Sequence, residues 1–136
     1  MESSDRAKWI PVTVLVGIIY LVTGVVFAAL AAGASSDEAV HWWRVAAWLI
    51  SGLAFLGHIG YELYAGRSTR TSAFHAALAA AFGAFGLAVS ALIHRHSASS
   101  HTNYFAFLVW PVVVSIPAFL VAWVLATLVS RALRNG

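Results

Sequence analysis

Four long apolar stretches make up most of this chain, and they constrain its fold more than any other feature. They cover about 9–32, 41–64, 71–93 and 104–129. An α-helix rises about 1.5 Å per residue, so roughly 20 apolar residues cross a hydrocarbon layer about 30 Å thick. Each stretch reaches that length. We therefore predict an all-α integral membrane protein, an antiparallel bundle of four transmembrane helices.

The composition supports this prediction and leaves no room for a separate soluble domain. The 136 residues are 61% hydrophobic and 10% charged, whereas soluble domains carry about 25% charged residues. We expect a single domain over 1–136. The first stretch is longer than the apolar region of a signal peptide, so we expect a retained helix, with cleavage near Gly33 as the alternative. The chain contains no cysteine, which excludes disulfides and thiolate sites.

The distribution of basic residues predicts the orientation. Six lysines and arginines fall on one side of the predicted membrane: Arg6, Lys8, Arg67, Arg70, Arg131 and Arg134. The other side carries Arg44 and Arg95. The positive-inside rule then places both termini in the cytoplasm, and we expect a bacterial inner (plasma) membrane. These flanking anchors account for the net charge of +3, so the charge does not call for a nucleic-acid partner.

Three titratable side chains are predicted to lie within the membrane at a similar depth. His58 precedes the end of the second stretch by six residues, and His75 is about five residues into the third. At 1.5 Å per residue both lie roughly 7–9 Å below the same interface. Glu62 shares a helix face with His58 at i, i+4 spacing. Such groups are costly in lipid and usually face the protein interior.

The residue types in this group fit several chemistries. His58 and His75 could bind haem b as axial ligands across a helical hairpin. His58, Glu62 and His75 could instead bind a divalent metal ion. A proton relay or substrate gate is a third reading. The fourth is a polar network that holds the two helices in register, with Glu62 meeting Arg67 or Arg70.

A second set of histidines follows the third stretch, in the polar segment 94–103. His94, His96 and His101 could form a metal site or a pH-sensing surface on the side opposite the basic residues. The spacing matches no strict metal motif. Solvated loop histidines are therefore the simpler interpretation.

Small residues predict how the helices pack. The third stretch carries an alanine and glycine stripe typical of a central packing helix in a membrane bundle. Thr13, Gly17, Tyr20 and Gly24 lie near one face of the first helix and predict a second packing seam. The fourth stretch contains Pro111 and Pro117, which predict a kink.

These observations favour a non-catalytic membrane subunit or self-associating bundle. The His58/Glu62/His75 group would be structural or would bind a cofactor, and the expected partners are the lipid bilayer and either further copies of the chain or a larger membrane complex. The alternative is a small transporter or channel for protons, metal ions or a small solute, using Glu62 and the histidines. An enzyme is less favoured, because the chain carries no P-loop, no H-E-x-x-H and no G-x-S-x-G motif.

Overall fold

The protein is all-helical in the computed structural model, which describes residues 9–95 and 104–135. Four helices follow in chain order: α1 Trp9–Ala32, α2 Asp37–Tyr64, α3 Thr69–Arg95 and α4 Tyr104–Asn135. Each contains a segment long and apolar enough to cross a membrane. The prediction of four helices of membrane-spanning length is therefore confirmed.

The helix ends differ from the predicted bounds in an informative way. Helix α1 matches its prediction, but α2 begins four residues earlier, at Asp37. Ser36 caps this helix, because its side chain accepts a hydrogen bond of 3.2 Å from the backbone N–H of Ala39. Helices α3 and α4 also extend past the apolar stretches, to Arg95 and Asn135. Hydropathy located the apolar part of each helix and missed the polar end turns.

Helix α3 is the central helix of the bundle. It packs along α4 and α1, while α1 also packs against α2, and α2 makes fewer contacts with α3 and α4. Ala73, Ala76 and Ala79 of α3 are fully buried. The small-residue stripe therefore forms the packing face that the sequence predicted, since short side chains let helix backbones approach closely.

The seam between α1 and α3 depends on glycine. A Cβ atom added at Gly83 would lie 2.6 Å from the Cβ of Tyr20 and 3.2 Å from the carbonyl oxygen of Gly17. A Cβ at Gly24 would lie 2.6 Å from the side chain of Leu87. The predicted seam on α1 is thus in contact with α3, and at Gly83 a larger residue would clash with the Cβ of Tyr20.

The apolar core lies toward the end of the bundle where α2 joins α3, which we call the α2–α3 end. Its buried members are Ile59, Ala73, Ala76, Ala122 and Ala126. Large apolar side chains cover the outer surface of all four helices, among them Ile10, Leu53, Phe74 and Ile116, each more than half exposed. An apolar surface of this extent is expected of a protein surrounded by lipid rather than water.

Candidate functional site

The structure brings the three predicted residues His58, Glu62 and His75 together at the α2–α3 end. Glu62 is at the centre and is fully buried. Its Oε2 lies 2.7 Å from Nδ1 of His75, within hydrogen-bond distance. Its Oε1 lies 3.9 Å from Nε2 of His58, one helical turn away. The three residues that the sequence predicted to lie close together are therefore neighbours in the structure.

Arg67 is the fourth member of this cluster. Its Nε lies 3.2 Å from Oε2 of Glu62, and its side chain is 16% exposed. Arg67 and Arg70 were both candidate partners for Glu62, and Arg67 is the one that the structure places in contact. The guanidinium is permanently charged, so the contact is an ion pair at the edge of a closed site.

The end of α2 explains why Arg67 reaches back to Glu62. Gly66 adopts a left-handed conformation with φ of 74°, which glycine takes without the steric cost of a Cβ. Gly66 then donates its N–H to the carbonyl of Leu63 at 3.0 Å, and Arg67 donates its N–H to the carbonyl of Glu62 at 3.1 Å. This pair of bonds is a Schellman motif. It fixes Arg67 beside Glu62 through the backbone as well as the side chain.

Ser68 fixes the start of α3 in the same turn. Its hydroxyl accepts a hydrogen bond of 3.2 Å from the N–H of Thr71. Its carbonyl accepts bonds from the N–H and the hydroxyl of Ser72, at 2.9 and 3.1 Å. The capped helix therefore starts at a defined residue, and His75 lies about two turns into it, facing α2.

Trp9 packs against one face of the His75 ring. The indole and imidazole rings stack with centroids 4.3 Å apart and planes 2° apart. Trp9 is the first residue of α1, so this contact joins a third helix to the cluster. The sequence did not predict this contact, although Trp9 and His75 both lie near the N-terminal ends of their helices.

Some polar atoms of the cluster have no partner among the described residues. Both ring nitrogens of His58 and Oε1 of Glu62 are buried without a hydrogen bond. The side chains of His58 and Glu62 are fully enclosed. Glu62 therefore directs one oxygen to His75 and Arg67, while the other oxygen faces His58 across a gap slightly longer than a hydrogen bond.

The geometry gives little room for a haem or a metal ion. Trp9 covers one face of His75, and the enclosed side chains of His58 and Glu62 leave no gap for a porphyrin. Within residues 9–95 and 104–135 no group of three histidine or acidic side chains is arranged to hold a metal ion. Cofactor binding by His58 and His75, or by all three residues, stays a prediction.

The structure does not describe the side chains of the second set of histidines. His94 belongs to the last turn of α3, but its side chain is not among those described. His96 and His101 lie outside the described residues. A metal or pH-sensing role for these three residues stays a prediction.

Comparison with known proteins identifies no relative of this chain. No protein-family model, curated protein or solved structure matches the chain.

Proposed function

We propose that the chain is a small, non-catalytic integral membrane protein. We call His58, Glu62, Arg67 and His75 the Glu62 cluster. In this proposal the cluster is a structural lock, meaning a set of polar contacts that fixes the helices in one register, rather than a reaction centre. Four apolar helices would lie in the bilayer, with both termini in the cytoplasm. The α2–α3 end would face the cytoplasm, because Arg67 and Arg70 belong to the basic side. The bundle would act as a subunit of a larger membrane complex or associate with further copies of itself.

The observation that carries this proposal is the number of chain segments that meet at one carboxylate. Glu62 belongs to α2, His75 to α3 and Arg67 to the turn between them, and Trp9 adds α1 through its stack on His75. In lipid the hydrophobic effect does not favour one helix arrangement over another. Polar contacts and close packing therefore determine the register of the helices. A buried carboxylate with two partners stabilises one register and penalises the others, since any shift leaves a buried charge unpaired.

The absorption spectrum of the purified protein tests this proposal against the cofactor alternatives. We expect protein in mild detergent to show no Soret band, oxidised or reduced, and no stoichiometric zinc, iron or copper. A Soret band that disappears in His58→Ala or His75→Ala would contradict the proposal and identify a haem-binding subunit. A stoichiometric metal lost in the same variants would identify a metal site.

A second candidate function is proton transport through Glu62, and the unpartnered atoms favour it. His58 and Oε1 of Glu62 form a buried polar gap without a hydrogen bond, and a relay needs groups that can exchange a proton. In proteoliposomes a relay requires that Glu62→Gln abolish proton flux while the fold survives. Flux that is equal in wild type and Glu38→Gln but absent in Glu62→Gln, with the helical content of Glu62→Gln unchanged in the same vesicles, would favour transport over the structural lock.

A further inference from the structure

A cleft in the other half of the bundle is the strongest unassigned feature of the molecule. It has a volume of about 450 Å³ and is lined by all four helices. The cleft lies between α2 and α4, farther from the α2–α3 end than the core around Ile59. Its walls include Trp48, Trp110 and Gly52. A volume of this size lies within the range of sites for small organic ligands, about 300–1,000 Å³.

Two tryptophans mark the cleft as more than a gap between helices. Trp48 is 81% exposed and Trp110 is 55% exposed, and both line the cleft. Indoles prefer the membrane interface. Trp48 lies 11 residues after the start of α2 and Trp110 six residues after the start of α4, so both belong to the body of a helix rather than to its first turn. The two indoles in the lining give a ring compound flat apolar surfaces to contact.

The polar side chains of the cleft indicate which hydrogen-bonding groups a ligand would need. No charged residue lines the cleft, and its polar side chains are Tyr20, Ser51, Trp48 and Trp110. An indole N–H can only donate a hydrogen bond. The Tyr20 hydroxyl is buried without a hydrogen-bond partner in the described part of the chain. A neutral ligand with acceptor oxygens would satisfy donors that lipid chains leave unpaired.

We propose that this cleft binds a neutral, lipid-soluble ring compound bearing carbonyl oxygens, with Trp48 and Trp110 against the ring and Tyr20 donating to a carbonyl. The ligand would enter from the bilayer between α2 and α4. The inference is independent of the Glu62 cluster, which lies at the other end of the bundle.

Glycines provide a matched pair of variants for the test. A Cβ atom added at Gly52 or at Gly57 meets no atom within 4 Å, and both residues are exposed, so a side chain at either position starts in open space. Gly52 lines the cleft, whereas Gly57 is absent from its lining. Gly52→Leu therefore fills the cleft, and Gly57→Leu is the control with the same change in composition.

The experiment uses the full chain in lipid nanodiscs. Menadione, a naphthoquinone, is the probe, and its binding is followed by quenching of tryptophan fluorescence. The carbonyl-free hydrocarbon 2-methylnaphthalene serves as competitor. We expect saturable quenching that weakens at least tenfold in Gly52→Leu and stays within twofold of wild type in Gly57→Leu. We expect the hydrocarbon to compete several-fold less well than the quinone binds, since one neutral hydrogen bond changes affinity by about threefold to tenfold.

Tyr20→Phe tests the proposed donor. It should weaken menadione binding by a similar factor of about threefold to tenfold and leave competition by the hydrocarbon unchanged. Equal quenching in Gly52→Leu and wild type would overturn the proposal. Equal affinity for the hydrocarbon and the quinone in wild type would also overturn it, and would identify the cleft as a space filled by lipid chains.

Discussion

Oε2 of Glu62 lies 2.7 Å from Nδ1 of His75, and this buried polar contact joins α2 to α3 inside the bundle. Both side chains are buried. A polar pair in a low-dielectric interior is stronger than the same pair in water, and it is also more costly to break. The relationship between these two residues is therefore where the stability of the helix arrangement should be most sensitive to substitution.

Glu62→Gln should destabilise the bundle. The amide keeps the shape of the side chain but removes the charge that faces Arg67 and His75, at a cost of about 2–3 kcal/mol. The measurement is the free energy of unfolding in mixed micelles with increasing SDS. Glu38→Gln is the control, because Glu38 is exposed in the first turn of α2 and should change stability by less than about 0.5 kcal/mol. Equal effects of the two substitutions would mean that Glu62 is not part of a lock.

Gly66→Ala should also destabilise the bundle, through the backbone. Alanine at φ of 74° costs about 1–2 kcal/mol relative to glycine, and relaxation of the turn would move Arg67 away from Glu62. Gly33→Ala is the matched control after α1, since Gly33 has no positive φ and an added Cβ there meets only ordinary contacts, at 3.6 Å or more. Thermal melts of the two variants should differ by several degrees. A Gly66→Ala protein as stable as wild type would contradict this description of the turn.

Gly83→Ala and Gly60→Ala should change stability in opposite directions. The new methyl group at Gly83 would lie 2.6 Å from the Cβ of Tyr20, and overpacking of this kind costs about 1–3 kcal/mol. At Gly60 an added Cβ meets no atom within 4 Å. There alanine should stabilise the helix by about 0.5–1 kcal/mol, because it has less conformational entropy to lose on folding. The measurement is the free energy of unfolding of each variant relative to wild type. It should fall for Gly83→Ala, which lies in the seam between α1 and α3, and rise for Gly60→Ala.

His58→Leu should leave stability unchanged or increase it. Both ring nitrogens of His58 are buried without a partner, and an unsatisfied buried polar group costs about 1–3 kcal/mol. His75→Leu, by contrast, removes the hydrogen bond to Glu62 and should destabilise. If His58→Leu unfolds as easily as His75→Leu, His58 makes an interaction that this account lacks, such as a bond to a ligand or a water molecule.

Sequence periodicity located much of this architecture. Helix lengths and hydropathy identified four helices, and rise per residue placed His58 and His75 at one depth. The small residues of α3 identified the central helix. Each of these inferences needs only distances along a helix axis, which the sequence determines.

The remaining contacts depend on rotation, tilt and backbone conformation. The ion pair of Arg67 requires the left-handed φ of Gly66, which a loop sequence permits but does not require. The stack of Trp9 on His75 depends on how α1 is rotated against α3. The cleft between Trp48 and Trp110 depends on how far α2 and α4 diverge, which hydropathy does not encode.

A double-mutant cycle between Glu62 and His75 tests the central claim most directly. Glu62→Gln, His75→Phe and the double variant are unfolded in mixed micelles, and Phe is chosen because it keeps a flat ring against Trp9. Residues in contact inside a protein couple by about 0.5–3 kcal/mol, and the structural lock predicts a coupling of about 1–2 kcal/mol in favour of the wild-type pair. Additive effects of the two substitutions, with no coupling, would contradict the account.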